Sequence, residues 1–319
     1  MMLLSTGTLF AINNDMPFDD SVAQVKNKPP PLPPQEGEKI KAIRYLSVSA
    51  TTIPEVMLSL THEWDVPVLR GNTPFTKDNN IKPLLRFDFM PVGIDITAEA
   101  TLTPIAFLQV IAGLKIGSGW SLGKGYWGIG ISSADERGRL IVDSHPFSGI
   151  ITKQWLGGAL QADLAALIPG KWTHIVFRTY HEIGNTWFSA AKMNESWYHA
   201  NDEGENRNGF TYLGSYLLGY RMPIFLNTIG FRADVNTYLY DLAQDTLWGD
   251  DLPRWIFSVF ANFDIFDSFE VTAVCQFWSQ RNYTDPSWQS LYYRNRHIDP
   301  NNKLSASFYR LACIITWHF

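Results

Sequence analysis

Charge is scarce in this chain. Asp, Glu, Lys and Arg make up 18% of its 319 residues, against roughly 25% in ordinary soluble domains. The 26 basic and 31 acidic side chains leave a net charge of −5, and the basic ones form no block of five or six. The electrostatic footprint that nucleic acid demands is therefore missing. Cysteine is scarcer still: Cys275 and Cys313 are the whole complement, too few for a disulfide scaffold or a Cys-ligated zinc site. Long apolar runs are absent as well. The longest stretch without a formal charge, residues 100–114, is interrupted by Pro104 and Gly113, and a spanning helix needs roughly 20 apolar residues. The histidines form neither H-x-x-x-H nor H-E-x-x-H, so no metal and no cofactor are expected. GKGYWG at 123–128 matches G-x-G-x-x-G in letters only; no βαβ pattern surrounds it, and it reads as a loop.

What the chain has in excess is aromatic surface. Phe, Tyr and Trp reach 14%, with 12 Trp, in a chain that is 45% apolar and thus able to form a folded core. From about residue 54 onward, apolar and polar residues alternate with period two. In residues 55 to 69, Val56, Leu58, Leu60, Trp64, Val66 and Val68 oppose Ser59, Thr61, Glu63 and Asp65. Residues 84 to 102 change phase at Pro91, read as a bulge because proline cannot donate to a ladder. A tight turn at 103 to 105 then leads into Leu108, Val110, Ala112, Leu114 and Ile116 opposing Gln109, Gly113 and Lys115. The pattern recurs through 155–166, 172–183, 209–221, 226–240, 254–266, 268–279 and 304–319, which gives ten strands. Counting residues 40–50 and 288–298 as strands gives twelve as the alternative.

Three regions follow. Residues 1–20 read as an export segment, apolar then small although without a basic start. Residues 21–39, with five prolines in PPPLPP, read as an extended linker on the periplasmic side. Residues 40–319 read as one all-β unit.

Periodicity alone does not say whether the apolar face meets a second sheet or lipid. Strand length does bear on it: most runs have 12 or more residues, while globular strands average about 5 to 6 and membrane strands need about 9 to 11. Short connections at 103–105, 167–171, 222–225 and 266–268 alternate with long ones at 70–83, 120–148, 184–208, 241–253 and 280–303, as in barrels with short turns at one rim and long outer loops at the other. Aromatic residues, among them Trp64, Trp120, Trp172, Tyr180, Trp255, Trp278 and Trp317, gather near strand ends, as interfacial girdles do. Only a closed barrel satisfies its backbone in lipid without helices. The expected fold is an antiparallel up-and-down transmembrane β-barrel.

The chain finishes in YRLACIITWHF, with Tyr309, Leu311, Ile315, Trp317 and Phe319 at alternate positions. This resembles the carboxy-terminal signal of bacterial outer-membrane β-barrel proteins. The resemblance implies an outer-membrane location, a lipid bilayer around the barrel, and an assembly machinery that reads the last strand. TLTPIAFLQVIAGLKIGSGW, followed by GIGI, is similar to hairpins of spirochaetal outer-membrane barrels.

The inward faces would collect Glu63, Asp65, Asp88, Asp95, Glu99, Asp163, Asp234, Asp264 and Glu270 against Lys115, Arg178, Arg221, Arg232 and Arg310. Ten strands enclose little more than side chains, so these charges are expected to pair, Lys115 with Asp95 or Glu99 first among them. The expected function is a narrow channel or facilitator for small solutes. A surface-exposed structural or binding barrel, acting through loops 120–148 and 184–208 on an external ligand, is the alternative. In the second loop Trp187, Phe188, Trp197 and Tyr198 either face a ligand or fold inward as a lid. A barrel-rim hydrolase using His62, Asp65, His181, Glu182, His199 or His297 ranks last, and no catalytic residue is assigned.

Overall fold

The computed structural model describes residues 40–52, 55–122, 128–193, 195–200, 205–239, 249 and 252–319; the expected export segment, the proline-rich linker and all but the last residue of GKGYWG lie outside them. Fifteen strands are formed: β1 Lys41–Thr51, β2 Glu55–Pro67, β3 Asn80–Met90, β4 Gly93–Ile105, β5 Leu108–Gly119, β6 Gly128–Ala134, β7 Leu140–Ser144, β8 Ile151–Asp163, β9 Ile175–Phe188, β10 Ser196–Ala200, β11 Gly209–Arg221, β12 Leu226–Tyr238, β13 Arg254–Phe266, β14 Phe269–Arg281 and β15 Leu304–His318. Twelve of them close into one barrel, each paired antiparallel with its neighbours, and β10, β6 and β7 form a separate three-stranded sheet. No described helix is long and apolar enough to cross a membrane, which a barrel does not require.

Twelve strands arise differently from the sequence count. Residues 41–51 are a strand, but 288–298 holds two 3-10 turns and the isolated bridge residues Leu291 and Ile298, and no strand. The extra strand comes from residues 84–102, which are not one bulged strand but a hairpin: Met90 pairs with Gly93 across Pro91 and Val92. A two-residue hairpin shifts the inside–outside parity by one residue, as a bulge does, so alternation could not separate them. Closure is corrected with it. β15 pairs with β14 and with β1, from Tyr45 opposite His318 to Thr51 opposite Ala312, rather than with residues 55–69.

Both ends of the barrel strand series, the start of β1 and the end of β15, lie at one rim with the connections 68–79, 106–107, 164–174, 222–225 and 267–268. The ends of β5, β9, β12 and β14 and the starts of β8, β11, β13 and β15 lie at the opposite rim, the loop rim, where β3 also turns into β4 and β2 follows β1. Residues 70–83, read from the sequence as a long outer loop, thus belong to the rim of the termini. So does Asp65, near the end of β2.

Apolar side chains face out. Leu60, Ala98, Val110 and Val259 are exposed, while the polar residues between them are buried or half-buried. Ala233 shares that outer face but is covered, lying between Tyr216 and Phe257 in the ladder. A polar set interrupts the belt at His181, whose ring nitrogens are engaged by Thr179 Oγ1 at 2.8 Å and Tyr212 Oη at 2.7 Å, so it needs no water. Cys275 and Cys313 are free thiols on β14 and β15, two register positions apart, and neither is buried.

Candidate functional site: the lumen and its covered mouth

The inner wall is built of charge pairs because alternation puts residues i and i+2 of one strand, and cross-strand neighbours, on the same inward face. Arg86 Nε meets Asp88 Oδ2 at 3.1 Å, and Ser59 Oγ donates to the other oxygen of Asp88 at 2.6 Å. Arg232 Nε meets Asp234 Oδ1 at 2.7 Å within β12. Lys115 Nζ on β5 lies 2.6 Å from Asp95 Oδ2 on β4, and Lys153 Nζ on β8 lies 2.6 Å from Glu182 Oε1 on β9. Arg310, fully buried on β15, reaches Glu55 Oε2 at 3.1 Å and Gln276 Oε1 at 2.7 Å. Lys82 and Glu63 stand 3.9 Å apart. Pairing of this kind is what lets a narrow interior hold charge, since a lone buried ion is costly.

Of the expected lumen residues, Glu63, Asp88, Asp95, Asp163, Arg232, Asp234 and Arg310 are buried, and Lys115 and Glu99 half-buried. Asp163 accepts the Ala165 N–H at 2.9 Å and meets His174 Nδ1 at 2.7 Å, fastening the 164–174 turn. Four expectations are corrected. Asp264 is exposed at the rim of the termini, accepting from Asn227 Nδ2 at 2.8 Å. Glu270, paired with His318 at 3.3 Å, and Arg221, ending β11, also sit at that rim. Tyr309 does not share the outward face of Leu311, Ile315, Trp317 and Phe319, all of which are exposed. A bulge pairs Arg310 with Gln276 and Phe308 with Phe277, so Tyr309 turns inward and stacks on Trp278 at 5.1 Å.

Sequence reasoning missed Glu55, Lys82, Arg86, Lys153 and Glu182 as lumen groups. Arg86 stood in plain alternation with Asp88 and was legible. Glu182 was placed at the rim because the phase of residues 172–183 is mixed; β9 begins only at Ile175, and residues before it are turn. The set considered for hydrolysis is not brought together. His62 lies on the outer wall against Arg44 Nε at 3.1 Å, His181 on the outer wall elsewhere, Glu182 in the lumen and His199 in the mouth. Among the described residues no group of three or more His, Cys, Asp or Glu is placed to hold a metal ion.

Two large inward rings lie against the wall instead of crossing the lumen. The Trp155 indole rests on Gly113, its direct partner in the β5–β8 ladder, where any side chain would collide with it. Tyr180 lies similarly over Gly157, at 2.8 Å from where a Cβ would stand, and its hydroxyl donates to Glu182 Oε2 at 2.5 Å. Beside them Lys153 keeps 32% of its side chain exposed while its partner Glu182 is buried.

No protein-family model and no curated protein matches this sequence. Solved structures do. The chain is similar to a KdgM porin (8% identity, 88% of this chain and 99% of that one, TM-score 0.39) and to a NanC porin (6% identity, 86% and 98%, TM-score 0.39). It is also similar to the β domain of the Bordetella autotransporter BrkA (10% identity, 86% and 97%, TM-score 0.40). Identities this low carry no solute or partner across.

The mouth at the loop rim is covered. β10 adds to β6, and their sheet packs Ile129 and Trp197 against Ile151 and Phe188 at the tops of β8 and β9. Phe188, Trp197 and Tyr198 are therefore buried, and of the four loop aromatics only Trp187, at 40%, is exposed. Asn208 fixes this corner, accepting from Phe188 N at 2.7 Å and donating to Ala191 O at 2.9 Å. Glu205 then ties the loop to the barrel. Its carboxylate meets Arg281 on β14 at 3.1 Å, Arg296 of the 282–303 loop at 3.3 Å, and Arg254 on β13. From β10, His199 points into the mouth, 3.9 Å from Asp95, and burial holds its imidazole below the ordinary value.

Proposed function

We propose that this chain is an integral barrel of a bacterial outer membrane that lets small polar solutes pass through a narrow, charge-paired lumen. The observation that carries the reading is the seating of Trp155 on Gly113: a closed plug gains from rings that fill the interior, whereas this wall gives up a side chain to let an inward indole lie against it. The exposed flank of Lys153 next to it supports a hydrated strip along β5, β8 and β9. Twelve strands also stand between the eight that side chains fill and the 16 to 18 of open porins. The assembly machinery reads β15 through its exposed Leu311, Ile315, Trp317 and Phe319, and the chain performs no catalysis. Planar-bilayer recording of purified, refolded protein tests this: steady unitary currents are expected, and persistent silence from a folded barrel would sink it.

A second reading, binding through the outer loops, draws on the way β6, β7, β10 and loop 282–303 interlock. Tyr292 N donates to Gly138 O at 3.0 Å, and Arg139 bridges to Leu291. One continuous outer surface results, suited to holding an external ligand.

A further inference from the structure

Arg178 departs from the rule that governs the lumen wall. Lys82, Arg86, Lys115, Lys153, Arg232 and Arg310 each have a carboxylate within ion-pair distance. Among the described residues Arg178 has none. It is 6% exposed on β9, and the one hydrogen bond it makes to a described residue goes from Nη2 to the neutral Gln109 Oε1 at 3.0 Å. Nε and Nη1, both buried, have no hydrogen-bond partner among the described residues.

Its surroundings do not supply the missing charge. The Tyr180 ring lies 5.8 Å from the guanidinium, but the tyrosine hydroxyl is committed to Glu182. Across Leu217 in the ladder stands Arg232, a like charge already matched by Asp234. The field of Glu99 reaches Arg178 without an ion pair between them. A guanidinium is charged at any working pH, and burying it with two idle donors is unfavourable unless something negative visits.

We infer that Arg178, with Gln109, forms an anion site in the lumen that takes a small monocarboxylate in transit. This rests on the channel reading and names the class of solute. A carboxylate supplies the acceptors that Nε and Nη1 lack, through charge-assisted hydrogen bonds. It remains releasable because Gln109 adds no charge of its own.

Two variants and two readouts test it. Arg178→Gln removes the site. Gln109→Glu instead supplies the absent carboxylate 3.0 Å from Nη2, so it fills the site from within and supports folding. Detergent-folded protein is titrated with sodium formate by calorimetry, and the chloride-to-potassium permeability ratio is taken from reversal potentials in a salt gradient. Both variants should weaken formate binding by about tenfold or more, and both should lower the permeability ratio by about threefold. Formate affinity and ion preference equal to wild type in a folded Gln109→Glu barrel would overturn the site. Formate binding by a barrel that never conducts would keep the site and refute the channel; conduction without formate binding would do the reverse.

Discussion

Trp155 and Gly113 face each other directly across the β5–β8 ladder, and the indole occupies the space that any side chain at 113 would need. Gly113→Ala should therefore push the ring off the wall and into the lumen. The cost is that of overpacking, about 1 to 3 kcal/mol, and unitary conductance should fall. Trp155→Ala should raise conductance instead. Equal conductance in wild type and both variants would show that the ring does not border the solute path.

Leu114 is exposed on the outer face at the middle of β5, one residue from the inward Lys115. An arginine in its place should cost roughly 2 to 4 kcal/mol if that face meets the middle of a bilayer. Reversible folding titrations into lipid vesicles measure the difference. No loss would place Leu114 outside the hydrocarbon.

Glu205 holds three arginines from two strands and a loop. Glu205→Gln removes the charge that these three guanidinium groups share, and breaking a buried ion pair costs about 3 to 5 kcal/mol. The mouth cover should loosen while the barrel stays closed. Limited proteolysis should then cut within 120–150 and 282–303 faster than in wild type, and mean current should rise. Unchanged cleavage would mean that the cover is held by its apolar contacts alone.

His199 makes the same cover sensitive to acid. It is buried between the Asp95 carboxylate, which favours its charged form, and the Lys115 ammonium, which opposes it, and desolvation dominates to hold its pKa below 6.5. The undocked loop then binds more protons than the docked one once pH drops below about 6.5. Docking is at full strength above that value and weakens as pH falls through the lowered pKa. Cleavage of the cover should accelerate between neutral and mildly acidic pH in wild type, and His199→Gln should flatten that dependence. An identical pH profile in the variant would assign the effect elsewhere.

The barrel was legible because its two faces differ in chemistry at every second residue: Leu58, Leu60, Phe87 and Val110 announce the outer wall, Ser59, Thr61 and Asp88 the inner one. What was lost is whatever shifts parity. Pro91 marked a change of phase, and only the length of residues 84–102, about twice that of a membrane strand, could have shown a hairpin there in place of a bulge. The bulge that turns Tyr309 inward carries no proline or glycine to announce it. Pairings were out of reach for a different reason. Arg310 and Glu55 are 255 residues apart in the chain, and alternation gives the face of a side chain but not its partner. The cover escaped because Trp197 and Tyr198 look like any loop aromatics until β10 joins β6.

If the closed wall surrounds a path for solutes, the purified barrel conducts. Single-channel recording at neutral pH, with folding confirmed beforehand by heat-dependent mobility on gels, reads this without an intermediate step. Small, steady unitary currents that increase in Glu205→Gln are expected; a folded barrel silent in both forms would rule the path out.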